Sequence, residues 1–254
     1  MSTRNPFLMA DSSVNACDSS DPMRLMSHFY QQVVAIKQGL QSGDLEQAVS
    51  HQLQINRPPT GEELAEAVAQ RLQRWVERCS HQLQKVLTER EFRLVQQALF
   101  VMVALADELL IFNVPWSGRD SWQQTPLEMR IFRSCYAGER FFAGVASLLK
   151  LRSWDPQQQN LAAVYLLAMR LGFEGCFRDQ PKRLDFVRQQ LYKRIRSQSE
   201  LGRICPEAYN NVLAASEERR LAPLDRWYRL LALGAIAYLS VGLGIWLTFK
   251  GGWM

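Results

Sequence analysis

From Leu230 to Phe249 the chain runs for twenty residues without a charged side chain. No other feature restricts its folding so severely. A bilayer core takes about 20 apolar residues at the helical rise, and backbone groups in lipid must bond within their own segment, so this stretch predicts a single membrane-spanning helix. Arg219, Arg220, Arg226 and Arg229 precede it and Lys250 follows, a bias that places the N-terminal portion in the cytoplasm and the C-terminus in the periplasm. Trp227, Tyr228, Trp246 and Trp253 fall where interfacial aromatics sit. Gly234, Gly242 and Gly244 lie within the span as candidate positions for close helix association, Gly234 and Gly242 on nearly one face. The expected divisions are a leader over residues 1–22, a cytoplasmic domain over 23–222, an anchor over 223–250 and a periplasmic tail over 251–254. The leader has no continuous apolar run of the secretory kind and reads as disordered.

The body that this segment tethers is close to neutral. The sequence pI of 9.1 invites a nucleic-acid reading. Three of the 30 basic residues bracket the span, however, leaving 27 against 25 acids before it and a net charge of +2. That balance offers no electrostatic footprint for a phosphate backbone, so no nucleic-acid partner is expected. Five cysteines without a C-x-x-C pair read as reduced thiols, most of them filling the core. Cys17, Cys79, Cys135, Cys176 and Cys205 are therefore given no metal or redox role. The histidines His28, His51 and His81 show no ligand spacing.

Apolar periodicity in the body is helical nearly throughout. Five capping-box spacings mark helix starts: Asp44/Gln47, Thr60/Glu63, Thr88/Glu91, Thr125/Glu128 and Asp155/Gln158. Pro126 and Pro156 stand at first helical positions, where a missing N–H costs nothing. The predicted helices cover about 22–42, 44–56, 62–87, 89–112, 126–150, 156–173, 180–197 and 206–220, with residues 113–125 as the longest internal loop. Strand signals are absent, and short connections between helices predict antiparallel bundles forming an all-α cytoplasmic unit.

Within the most apolar soluble helix stand two adjacent acids, Asp107 and Glu108. Buried without partners they would be costly, so each requires a cation, a donor or a solvated cleft. Two further segments lock polar residues among apolar ones: Cys135 to Phe142, with Glu139 and Arg140, and Val164 to Arg178, with Phe173 and Glu174. One reading makes Asp107, Glu108, Glu139, Arg140, Phe173 and Glu174 a partner-binding cleft. The other lets Arg140 and Arg178 neutralise the acids and hold the helices in register. Carboxylates on apolar helices also occur in two-metal enzymes, but those ordinarily need Glu-x-x-His pairs, and this sequence has none. Walker, G-x-S-x-G and Rossmann signatures are likewise missing. No catalytic residue, metal or cofactor is assigned.

These segments carry a resemblance. Ala104-Leu-Ala-Asp107-Glu108, the tryptophans Trp116 and Trp122, Gly138-Glu-Arg-Phe-Phe142, Leu171-Gly-Phe-Glu-Gly175 and the C-terminal apolar segment occur together in an order similar to the TssL/DotU (IcmH) family, inner-membrane subunits of type VI and type IVB secretion systems. Asn5-Pro6-Phe7 resembles the start of type VI members, while Cys176-Phe177 departs from the pair common after Phe-Glu-Gly. The resemblance implies two small helical bundles arranged as a hook on one membrane anchor, without enzymatic activity or cofactor. Its implied partners are a TssM/IcmF-type membrane protein, an outer-membrane-linked lipoprotein reached through the complex, and baseplate proteins on the cytoplasmic side. Self-association is a further expectation. A type IVB subunit, a tail-anchored metalloenzyme and an unrelated adaptor are the alternatives.

Overall fold

Most helices in this protein begin where their first-turn N–H groups find an acceptor. Residues 20–198 are described in the structure, a computed structural model. Helix α1 (Pro22–Ser42) starts at Asp21, whose side chain accepts from the Met23 N–H, and ends on Gly43 in the left-handed conformation. Helix α2 (Asp44–Leu53) follows at once. Helices α3 (Gly61–Val86) and α4 (Glu89–Glu108) each start with a reciprocal capping box, Thr60 with Glu63 and Thr88 with Glu91. Short helices α5 (Arg119–Gln124) and α6 (Leu127–Phe132) lead to α7 (Ala137–Lys150). Helix α8 (Pro156–Arg170) has the third reciprocal box, Asp155 with Gln158, and α9 (Pro181–Gln198) ends the described region. No strand occurs among the described residues.

Two of the five expected boxes are not formed. Asp44 lies inside α2, and Gly43 holds the cap position without a side-chain bond. At Thr125 the cap falls on Pro126, and the free donors of α6 go to a residue far away in sequence. The helix expected over 126–150 is two helices, parted at Arg133, which takes a left-handed φ of 53°. In one continuous helix the Ala137 N–H would bond to the carbonyl of residue 133. Here it donates to Glu128 Oε2 instead. The expected loop over 113–125 contains α5, too short to show an apolar period and with only Trp122 buried.

Helix α4 is enclosed. Every residue from Ala98 to Leu110 is buried, as an all-round apolar surface requires. It packs against α1, α3, α6, α7 and α8. Leu99, Phe100, Val101, Met102 and Leu105 each contribute about 1.5–3 kcal/mol by burial, which offsets the cost of enclosing two acids one turn later. Glu89–Asn113 is long and apolar enough to cross a membrane, yet 78% of its apolar window is covered by the rest of the protein. It is a core helix. Its last turn, Leu109–Asn113, is a π-helix, and the Leu110 carbonyl accepts from the Trp116 indole at 2.9 Å. The expected helix over 206–220, the span at 230–249 and Gly234, Gly242 and Gly244 lie outside the described residues.

Cys135 and Cys176 are free and exposed, contrary to a core-filling role. Cys79 is buried, as a core-filling role requires.

Candidate functional site

Successive residues on a helix point about 100° apart, so the adjacent acids at the end of α4 reach different neighbours. Asp107, 5% exposed, turns toward α5 and α6. Its Oδ1 accepts from the Trp122 indole N–H and the Leu127 N–H, and its Oδ2 from the Glu128 N–H, all at 2.8 Å. The acid of one helix thus caps another twenty residues away in sequence, satisfying donors that α6 cannot satisfy itself. Burial pushes the Asp107 carboxyl up to about 7. The Glu128 and Leu127 N–H groups and the Trp122 indole oppose that rise, while the neighbouring Glu128 charge adds to it.

Glu128 repeats the device. Buried at the start of α6, it accepts from the Ala137 N–H at 3.0 Å and so caps α7, while its Oε1 is buried without a hydrogen-bond partner. Glu108, 8% exposed, points the other way. Its Oε1 accepts from Glu174 N, Gly175 N and Arg178 Nη2 at 2.9, 3.0 and 2.6 Å. The two backbone donors open the 3₁₀ turn Gly175–Phe177. Arg178 lies 3.5 Å over the Phe112 ring and a second nitrogen reaches Glu174 at 3.5 Å.

The glycine-rich segments meet directly. A Cβ on Gly138 would stand 2.8 Å from the Cys176 nitrogen, so α7 approaches the 3₁₀ turn at a distance only glycine permits. Gly172, at φ 114°, turns the chain out of α8. Phe141 and Phe173 then stack with ring centroids 4.1 Å apart. Phe142 packs on Phe177 at 4.4 Å and Phe141 on Tyr165 at 4.9 Å. Beside these rings burial raises the Tyr165 hydroxyl to about 12.

The six candidate residues therefore divide. Asp107, Glu108 and Phe173 are interior, and the acids' bonded oxygens are engaged by groups of this same chain. Glu139 and Arg140 are exposed, and Glu174 is half-buried. Arg178 neutralises Glu108 and Glu174, as one reading required. Arg140 neutralises neither acid: its guanidinium lies 4.2 Å from the centre of the Phe100 ring and 5.8 Å from that of Phe132. Glu128 was not singled out as a site residue, since a capping-box spacing conceals a side chain that caps forward instead of back. Among the described residues no group of three or more His, Cys, Asp or Glu could hold a metal ion.

Three of the segments that carry the sequence resemblance, Ala104–Glu108, Gly138–Phe142 and Leu171–Gly175, are thus joined by Glu108, by the Gly138 approach and by the Phe141–Phe173 stack. The family described as type VI secretion system protein DotU matches residues 44–250. The chain belongs to this family. The DotU match includes all three segments and the apolar stretch at 230–249. Among solved structures, the cytoplasmic domain of TssL from Acinetobacter baumannii is similar, with 19% identity over 65% of this chain and 97% of that one, at a TM-score of 0.44. No curated protein matches.

Proposed function

We propose that this member of the DotU family is the inner-membrane subunit that anchors a type VI secretion membrane complex and docks the cytoplasmic baseplate. The family match from residue 44 to residue 250 carries the reading, because it joins the helical unit and the apolar stretch in one family pattern. Residues 23–222 are then the cytoplasmic domain, 223–250 the anchor with its span at about 230–249, and 251–254 a periplasmic tail. The role is non-catalytic. The matched family is described by type VI secretion, which favours that system over type IVB.

A TssM/IcmF-type membrane protein is the proposed neighbour in the bilayer, with the outer-membrane-linked lipoprotein joined through the complex. Gly234, Gly242 and Gly244 are the proposed contacts for self-association or for a partner span. The two-bundle arrangement belongs to the same proposal: α3 packs with α5 and α6, α8 packs with α1 and α9, and α4 meets both groups. In this scheme Asp107, Glu108 and Phe173 shape the docking surface from beneath, while Glu139, Arg140 and Glu174 meet partners.

The test is extraction of tagged full-length protein from its host's membranes in mild detergent, with co-purifying proteins identified by mass spectrometry. Recovery of a large TssM/IcmF-type protein with baseplate subunits is expected. Type IVB proteins in their place would move the assignment to that system, and recovery of neither under assembling conditions would overturn it.

A further inference from the structure

Arg140 is an exposed cation held in place by aromatic rings. Phe100 and Phe132 meet edge to face with centroids 5.3 Å apart, and the Arg140 guanidinium lies against both. Among the described residues its side chain donates no hydrogen bond and forms no ion pair. Stacking occupies the face of a guanidinium and leaves its N–H edge free for a bidentate acceptor. The long side chain is already ordered, so less rotamer freedom is lost when an acceptor arrives.

Arg140 lines a groove of about 370 Å³ together with Arg93, Gln96, Gln97 and Phe132. Arg93, Gln96 and Gln97 are spaced i, i+3, i+4 and form one face of α4. The charged neighbours are few. Glu89 pairs with Arg93 at 3.3 Å in an exposed pair, and such pairs exchange partners readily. Glu139 precedes Arg140 on α7 and is exposed. The groove therefore offers two guanidiniums, two primary amides and a ring.

We propose that this groove docks an acidic segment of a protein partner, with an Asp or Glu carboxylate on Arg140, a second acid reached by Arg93, and main-chain amide groups bonded by Gln96 and Gln97. Side-chain amides both donate and accept, which suits a peptide backbone. A nucleic acid fits less well, because two guanidiniums, one shared with Glu89, make no track for successive phosphates. The inference deepens the docking role proposed above by naming the chemistry of what docks.

The experiment uses the full chain in lipid nanodiscs at low salt and a fluorescein-labelled decapeptide of alternating Glu and Gly, followed by anisotropy. Comparison probes are the matching Lys-Gly peptide and a ten-nucleotide single-stranded DNA. The acidic peptide is expected to bind, to weaken as salt rises, and to weaken at least tenfold in Arg140→Glu and Arg93→Glu. Lys150→Glu, at the other end of α7, is expected to stay within twofold. Arg140→Gln keeps a planar group over Phe100 without the charge, and serves if the Glu variant misfolds. Peptide binding that is absent, or unchanged in the Arg140 variants, overturns the proposal. DNA binding tighter than the peptide and lost with Arg140 overturns it in favour of nucleic acid. Co-purified secretion partners together with Arg140-insensitive peptide binding would refute the groove alone, and the converse pair of results would refute the complex assignment alone.

Discussion

Replacing Asp107 by Ala removes one side chain and leaves three donors without their acceptor: the Trp122 indole and the backbone N–H groups of Leu127 and Glu128. A buried donor left unsatisfied costs about 1–3 kcal/mol. The three share one site and relax together, so their sum is not additive, and a loss of about 3–6 kcal/mol is expected. Relief of the desolvation of Asp107 itself offsets part of this and keeps the value toward the lower end. A natural domain holds only about 5–15 kcal/mol, so the variant should survive but marginally. At about 2–4 °C per kcal/mol for a domain of this size, the melting midpoint should fall by roughly 6–16 °C.

Asp107→Asn is the sharper variant. Its single oxygen can still serve Trp122 and Leu127, but its amide faces the Glu128 N–H, donor against donor, for a loss of about 2–4 kcal/mol. The assay is thermal unfolding of the full chain in detergent, followed by tryptophan fluorescence, with Glu77→Ala on an exposed face as control. The control should lie within about 0.5 kcal/mol of wild type. An Asp107→Ala midpoint within about 2 °C of wild type would refute the claim that this carboxylate holds α5 and α6 in place.

Three further outcomes follow from the same geometry. The Asp107 carboxyl titrates at about 7 in the folded protein against an ordinary 3.8, so its contribution is fully present below about 3.8 and is lost as pH rises through 7. The stability gap between wild type and Asp107→Asn, measured by urea titration, should therefore be wider at pH 5 than at pH 8. Glu108→Gln keeps an oxygen for Glu174 and Gly175 but loses the charge opposite Arg178, a pair open to solvent on the arginine side, for about 1–3 kcal/mol in thermal melts; Glu108→Ala should lose more. Gly138→Ala places a methyl 2.8 Å from the Cys176 nitrogen and should cost about 1–3 kcal/mol, with faster amide exchange over 173–177 as the local readout.

How much was legible in the sequence differs by element. Helices α1, α3, α4, α8 and α9 were predicted within a few residues, because each is long, periodic and marked at its start by proline or a local cap. The interruption at Arg133 and helix α5 were not, because nothing local encodes them. The six candidate residues were named as a set, yet their division into interior and exposed members was hidden: an acid next to apolar residues reads alike whether its partner is solvent, a distant backbone N–H or another protein.

The sequence by itself determined the all-helical class, the enclosed character of α4 and the expectation of a membrane span, since these rest on composition and spacing within single segments. Only the tertiary structure decided which acceptor each helix end would find. Asp107, Glu128 and Glu108 cap elements 20, 9 and 66 residues away. A hydrogen bond requires proximity in space, and sequence spacing reports proximity only over a turn or two of helix. Beyond that distance, the packing that brings α4 against α6 and against the 3₁₀ turn turns two adjacent acids into the fastenings of two helix starts.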